Sequence, residues 1–164
     1  MVLLNFLFFQ SPIGPIRVEY TLQGLSSLRF VEILGESHTE IPEIEKLILS
    51  DLTGYFTQKN YVWKCPIAPY LGTEFQEKVW NTLLEIPSGE AWTYREIAQR
   101  IGQPKASQAV GSANSQNPVL LRIPCHRVIG STGAMVGYAG ELWRKEWLLT
   151  YEGFSGTNQQ MNLF

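Results

Sequence analysis

A chain of 164 residues with 45% hydrophobic and 17% charged side chains has apolar material for one domain or two small ones, and is neither fibrous nor of low complexity. Two cysteines outside any cysteine framework argue for free thiols, and no run reaches the about 18 apolar residues of a membrane span. The formal charge of −2 is uneven: residues 1–90 carry six Lys+Arg against eleven Asp+Glu, and residues 91–150 carry seven against three. That is the pattern expected if only the second half meets an anionic polymer.

The apolar start, MVLLNFLFFQ, lacks a basic region and a small-residue cleavage site, so it reads as a first strand of a soluble, cytoplasmic protein. NFLFFQ, PIRVEYTLQG and LSSLRFVEI are short runs rich in β-branched and aromatic residues, separated by the turn signals SPIGP and LQG. They predict an antiparallel meander. Ile44, Leu47, Ile48, Leu52, Tyr55 and Phe56 recur at helical spacing and predict a helix over about 41–57. Asp51 and Gly54 sit unfavourably inside it. YVWKCPIAPYLG then reads as one more extended segment and a linker, with Cys65 as a small apolar packing residue.

Past residue 70 the pattern changes. Thr73 and Gln76 make a capping box before FQEKVWNTLL, whose Phe75, Val79, Leu83 and Leu84 share a face with Trp80 beside it. Thr93 and Glu96 make a second box before REIAQRI, which Gly102 and Pro104 stop. A third short helix, in KASQAVGSANSQN, is rich in small residues. Two short helices joined by a Gly-containing turn form a helix-turn-helix pattern. Ala106, Ala109, Gly111, Ser112 and Ala113 leave the second helix little bulk, which suits a narrow groove or close helix packing.

RIPCHRVIG, residues 122–130, carries the chemistry. Zinc wants four clustered ligands, and His38 and Cys65 lie far from Cys125 and His126, which argues against a metal site. A buried filler cysteine is seldom followed at once by His and Arg. The nucleophile reading remains: a thiolate is favoured beside His, Arg or a helix N-terminus. A titrating base needs an orienting acid, and Glu146 and Glu141, in or beside ELWRKEWLLTYEG, are the candidates.

PCHRV between AVGSANSQNP and GYAG, followed by RKEWLLTYEG, resembles the O6-alkylguanine-DNA alkyltransferase family. The likeness is specific over about 70–153, beginning with GTEFQEKVWNTLLEIPSGEAWTYREIA, and looser over SPIGPIRVEYTLQGLSSLRF. It implies an α/β N-terminal domain over 1–69, with an antiparallel sheet plus helix and ribonuclease H-like. A mostly α C-terminal domain over 70–153 with a winged helix-turn-helix then carries DNA binding and the alkyl acceptor. It also implies direct-reversal DNA repair: after base flipping, an alkyl group passes irreversibly from O6-alkylguanine to Cys125, in a single-turnover reaction without cofactor or metal.

By the same resemblance His126 is the base working through a water, Glu146 the acid that orients it, and Asn117 the hinge. Tyr94 supports the departing guanine. Val128, Tyr138, Ala139 and Gly140 line the base pocket. Lys105, Ser107, Gln108, Ala109, Gly111, Ser112 and Arg127 are the DNA contacts, in a minor-groove approach by a monomer to double-stranded DNA.

Two positions depart from the family. Gln108 stands where Arg usually fills the gap left by the flipped base, which predicts weaker duplex binding and slower repair. Glu141 stands where another Gly is common. A related branch that lacks the cysteine only senses alkylated DNA; a sensor that retains Cys125 without using it is the alternative function. The tail 154–164 ends in QMNLF after GFSGTNQ. It is similar to the short motif that binds the bacterial sliding clamp, with Gln160 setting register and Leu163 and Phe164 as apolar anchors.

Overall fold

The computed structural model describes residues 5–156, so the QMNLF tail and Met1 to Leu4 lie outside the described residues. The described residues divide into two compact units, 5–71 with 118–120 and 72–117 with 121–156. Pro118–Leu120 returning to the first unit was not foreseen from the sequence. Among the described residues no helix is long and apolar enough to cross a membrane.

In the first unit, β1 (Asn5–Ser11), β2 (Gly14–Thr21) and β3 (Gly24–Phe30) form the expected antiparallel meander in the order β1-β2-β3. The period-two alternation sends Leu7, Ile16, Val18 and Tyr20 into the core, and a register shift between β2 and β3 brings both Leu25 and Leu28 in with them. Helix α1 (Pro42–Thr57) adds Ile48, Leu52 and Tyr55, with Pro42 in its first turn, where a missing N–H costs nothing. The two residues that looked out of place in α1 have tertiary reasons. Asp51 is buried and accepts from the Tyr61 hydroxyl (2.8 Å) and the backbone N–H groups of Lys64 (3.0 Å) and Cys65 (2.7 Å). Gly54 lies against the Tyr61 ring, so a Cβ there would collide with it. The segment expected to be extended contributes an isolated bridge between Ile67 and Leu25 and no longer strand.

The second unit holds α2 (Glu74–Leu83), β4 (Trp92–Thr93), α3 (Tyr94–Arg100), α4 (Ser107–Ser115), β5 (Val128–Ile129) and α5 (Leu142–Tyr151). Both capping boxes are formed, Thr73 with Gln76 and Thr93 with Glu96. Trp80 is buried and its indole N–H donates to the Ala113 carbonyl (2.9 Å), tying α2 to α4, whereas Leu84 lies outside the buried face. β4 and β5 pair in parallel, which sets Thr93 and Tyr94 beside the chain leaving the PCHR segment.

Candidate active site

Cys125 opens a three-residue 3-10 turn, Cys125–Arg127, after Pro124. The turn breaks the alternation of an extended strand, so Cys125 and His126 both face inward, at 1% and 0% exposure. Asparagines brace it: Asn117 donates from its amide to the Ile123 carbonyl (2.8 Å) and hydrogen-bonds the Cys125 sulfur, and the Asn114 amide reaches the Cys125 carbonyl at 3.5 Å.

The carboxylate on His126 belongs to Glu152, which corrects the assignment of Glu146. His126 Nε2 meets Glu152 Oε1, and Arg127 forks onto the same carboxylate through Nε (3.0 Å to Oε2) and Nη2. Ser88 adds a hydroxyl donor at 3.2 Å. The reason lies in helical period. Lys145, Leu148 and Leu149 form the buried face of α5, and Glu152, seven residues after Lys145, continues that face at the helix end. Glu146 is displaced by one residue, about 100° around the axis. Glu141, the other candidate acid, instead accepts from the Trp143 indole N–H (2.9 Å).

Arg127 is a second correction. Its guanidinium is consumed by Glu152 and by the Ile86 carbonyl (2.6 Å), and its side chain is only 13% exposed. It holds the site together and is not presented to DNA.

Charge at the site follows from burial. Burial pushes the Cys125 thiol up to about 11, against the opposing pulls of the Asn117 hydrogen bond and the Lys145 charge. The nearby cations therefore do not make a resting thiolate, contrary to the expectation from sequence neighbours. Burial also lowers His126, against the pull of Glu152, and the charges of Arg127 and Lys145 act the same way as burial. Burial opposes the Glu152 charge, but His126 and Arg127 outweigh it and hold the carboxyl down at about 2. The resting arrangement is a neutral thiol, a neutral imidazole and an ionised Glu152. With Nε2 donating to Glu152, the lone pair sits on Nδ1, a buried nitrogen with no protein partner among the described residues.

Sequence reasoning missed Lys145. Its ammonium is fully buried and donates to the carbonyls of Val128 (2.5 Å) and Val136 (3.1 Å), and burial lowers it to about 8. The signal was present: at i, i+3 and i+4, Lys145, Leu148 and Leu149 share a helix face. The Tyr94 hydroxyl donates to the same Val136 carbonyl (3.2 Å). Of the expected pocket residues, Tyr138 stands edge-on to His126 with ring centroids 6.4 Å apart, Gly140 and Val128 are buried, and Ala139 is exposed. Lys105, Gln108, Ala109 and Ser112 are exposed at and along α4, with Ser107 and Gly111 half-buried, and α4 itself carries no charged side chain.

A buried cysteine and histidine in one 3-10 turn, with Asn117 on the sulfur and Glu152 on the imidazole, in a unit of short helices, is an arrangement suited to cysteine chemistry. The 6-O-methylguanine DNA methyltransferase DNA-binding domain family matches residues 74–154. A methylated-DNA–protein-cysteine methyltransferase of Shigella flexneri is 53% identical over 158 residues, covering 88% of this chain and 92% of that protein. One from Methanosarcina acetivorans is 45% identical over 152 residues, covering 88% and 96%. The crystal structure of Mycobacterium tuberculosis OGT in complex with DNA superposes with a TM-score of 0.77 at 38% identity, covering 90% of this chain and 92% of that one. The chain belongs to the methylated-DNA–protein-cysteine methyltransferase family.

Proposed function

We propose that this protein repairs DNA by direct reversal, moving an alkyl group from O6-alkylguanine to Cys125. The observation that carries the reading is the buried His126–Glu152 pair next in the chain to Cys125: Glu152 holds Nε2 of a neutral His126 and leaves Nδ1, without a protein partner among the described residues, to serve as the base. The thiol proton passes to Nδ1, directly or through a water. The thiolate attacks the alkyl carbon, the carbon–O6 bond breaks, and its electron pair stays on the guanine. A proton delivered at the guanine, aided by the Tyr94 hydroxyl, neutralises the leaving base. The thioether does not turn over, so each molecule acts once. The pathway uses no cofactor or metal.

The O6 position of a paired guanine is reached by flipping the nucleotide out, and Val128, Tyr138, Ala139 and Gly140 are the proposed walls of the pocket that receives it. The Val128 carbonyl retains a second lone pair beside its bond to Lys145. The uncharged, small-residue surface of α4, with Ser107, Gln108, Ala109, Gly111 and Ser112, supports a minor-groove approach, and Lys105 adds a cation for phosphate. In this reading α3 and α4 are the core of a winged helix-turn-helix, and the meander with α1 is a reduced ribonuclease H-like domain. The chain divides functionally into residues 1–69, 70–153 and the tail 154–164. It works as a monomer in the cytoplasm, and Gln160, Leu163 and Phe164 of the tail engage the sliding clamp.

Intact mass after incubation with a duplex carrying O6-methylguanine tests the reaction. The expected result is a gain of one methyl on the wild type and none on Cys125→Ser. Retention of the damaged duplex without a mass gain would make the protein a sensor instead.

A further inference from the structure

Glu141 occupies backbone that only glycine adopts with ease, at φ 76° and ψ 145°. Its side chain is 69% exposed, so burial does not hold it there. A polar knot does. Glu141 Oε2 accepts from the indole N–H of Trp143 (2.9 Å), and Oε1 faces the Arg144 guanidinium at 3.8 Å. Arg144 lies over the Trp143 ring at 4.6 Å and donates to the Gly140 carbonyl (3.1 Å). The Glu141 backbone N–H donates to the Tyr138 carbonyl (3.0 Å), closing the turn.

The other end of this segment is pinned as well. The Val136 carbonyl accepts from both Tyr94 and Lys145. Between the two anchors lies Gly137, at φ 51° with open space where a Cβ would sit, and then Tyr138–Gly140. A short segment with glycine at positive φ swings easily unless both ends are held. Lys145 holds one end from inside and Tyr94 from the surface, and the Glu141–Trp143–Arg144 knot holds the other.

We infer that Glu141 is a specificity-determining positioning residue: by fixing Trp143 and Arg144, the residue that bonds the Gly140 carbonyl, it stiffens the wall of the alkyl pocket and limits transfer to small alkyl groups. The inference rests on the alkyl-transfer reading, since Tyr138–Gly140 is the pocket wall only there. The substituent on O6 enters next to Cys125, and a wall that cannot yield admits a methyl more readily than a benzyl group. The same knot explains how a non-glycine residue is kept at this backbone position.

The test compares single-turnover transfer from duplexes carrying O6-methylguanine or O6-benzylguanine. Glu141→Gly removes the carboxylate that orients Trp143 and Arg144 while leaving the backbone turn, and glycine accepts this backbone without strain, so the variant folds. Trp143→Phe removes the indole donor alone. Glu141→Gln keeps the length and the acceptor oxygen. The expected result is a benzyl-to-methyl rate ratio raised about fivefold or more in Glu141→Gly, and raised in the same direction in Trp143→Phe. Glu141→Gln is expected to stay within about twofold of the wild type. An unchanged ratio in Glu141→Gly overturns the inference, as does a Glu141→Gln shift as large as that of Glu141→Gly. A general loss of folded protein lowers both rates together and leaves the ratio where it was, which also counts against the inference. Failure of the wild type to take up methyl at all would sink the transfer reading itself, and this inference with it.

Discussion

Replacing Glu152 by Gln tests the site at its carboxylate, a side chain only 2% accessible that keeps its shape in the variant. The carboxylate now accepts from Arg127 and His126 at once. A Gln side chain has one acceptor oxygen. If that oxygen stays on Arg127, its NH2 faces His126 Nε2, and the ring must move its proton to Nδ1. The base is then blocked at the nitrogen that should take the thiol proton. General-base assistance is worth roughly 10²–10⁴-fold, so single-turnover methyl transfer should fall by about that factor. Stability should fall too. A carboxyl held down at about 2 against an ordinary 4.5 links folding to pH and adds stability at neutral pH. Its sign is that of a depressed acid: the contribution is complete above the unfolded value near 4.5 and is lost as pH falls towards 2. The assay is quenched-flow transfer followed by intact mass, with urea unfolding at pH 7 and at lower pH. Glu146→Gln serves as the paired variant and should transfer within about twofold of the wild type. The reasoning is refuted if Glu146→Gln loses as much as Glu152→Gln, or if folded Glu152→Gln keeps nearly the wild-type rate.

Three further outcomes are expected. A thiol at about 11 is ionised in about one molecule in a thousand at pH 8, so unassisted attack would quicken about tenfold per pH unit. Assistance by His126 predicts a rate that levels off once the imidazole is neutral, and a climb continuing past pH 9 would count against it. Gln108→Arg on the exposed, uncharged α4 should tighten duplex binding and steepen the log–log salt slope by about 0.9 for one added phosphate contact, read by fluorescence anisotropy. Asp51→Ala should lower unfolding free energy by about 2–4 kcal/mol, because two backbone N–H groups and the Tyr61 hydroxyl lose their acceptor. A change under about 0.5 kcal/mol would mean that water replaces the carboxylate at little cost.

Local order was readable in the sequence. Caps, turns and periodicity are short-range, so both capping boxes, the three-strand meander and the helices came from neighbouring residues. The PCHR stretch likewise singled out Cys125 and His126, since adjacent Pro, Cys, His and Arg fit poorly as core filling. The partner of His126 was not read correctly, because PCHR and α5 are separate in sequence and a carboxylate six residues earlier in the same stretch looks equivalent. Only the docked face of α5 distinguishes Glu152 from Glu146, and that face was visible in the spacing of Lys145, Leu148 and Leu149.

What the sequence determined by itself was the set of reactive groups and the local elements that carry them, since these depend on residue identity and near neighbours. Tertiary structure decided which charges meet and how far each is removed from water. It turned Arg127 from a surface cation into the clamp on Glu152, and it buried Lys145 under two carbonyls. It also set the resting thiol and neutral imidazole, because the cost of charge depends on burial and partners that no linear spacing records.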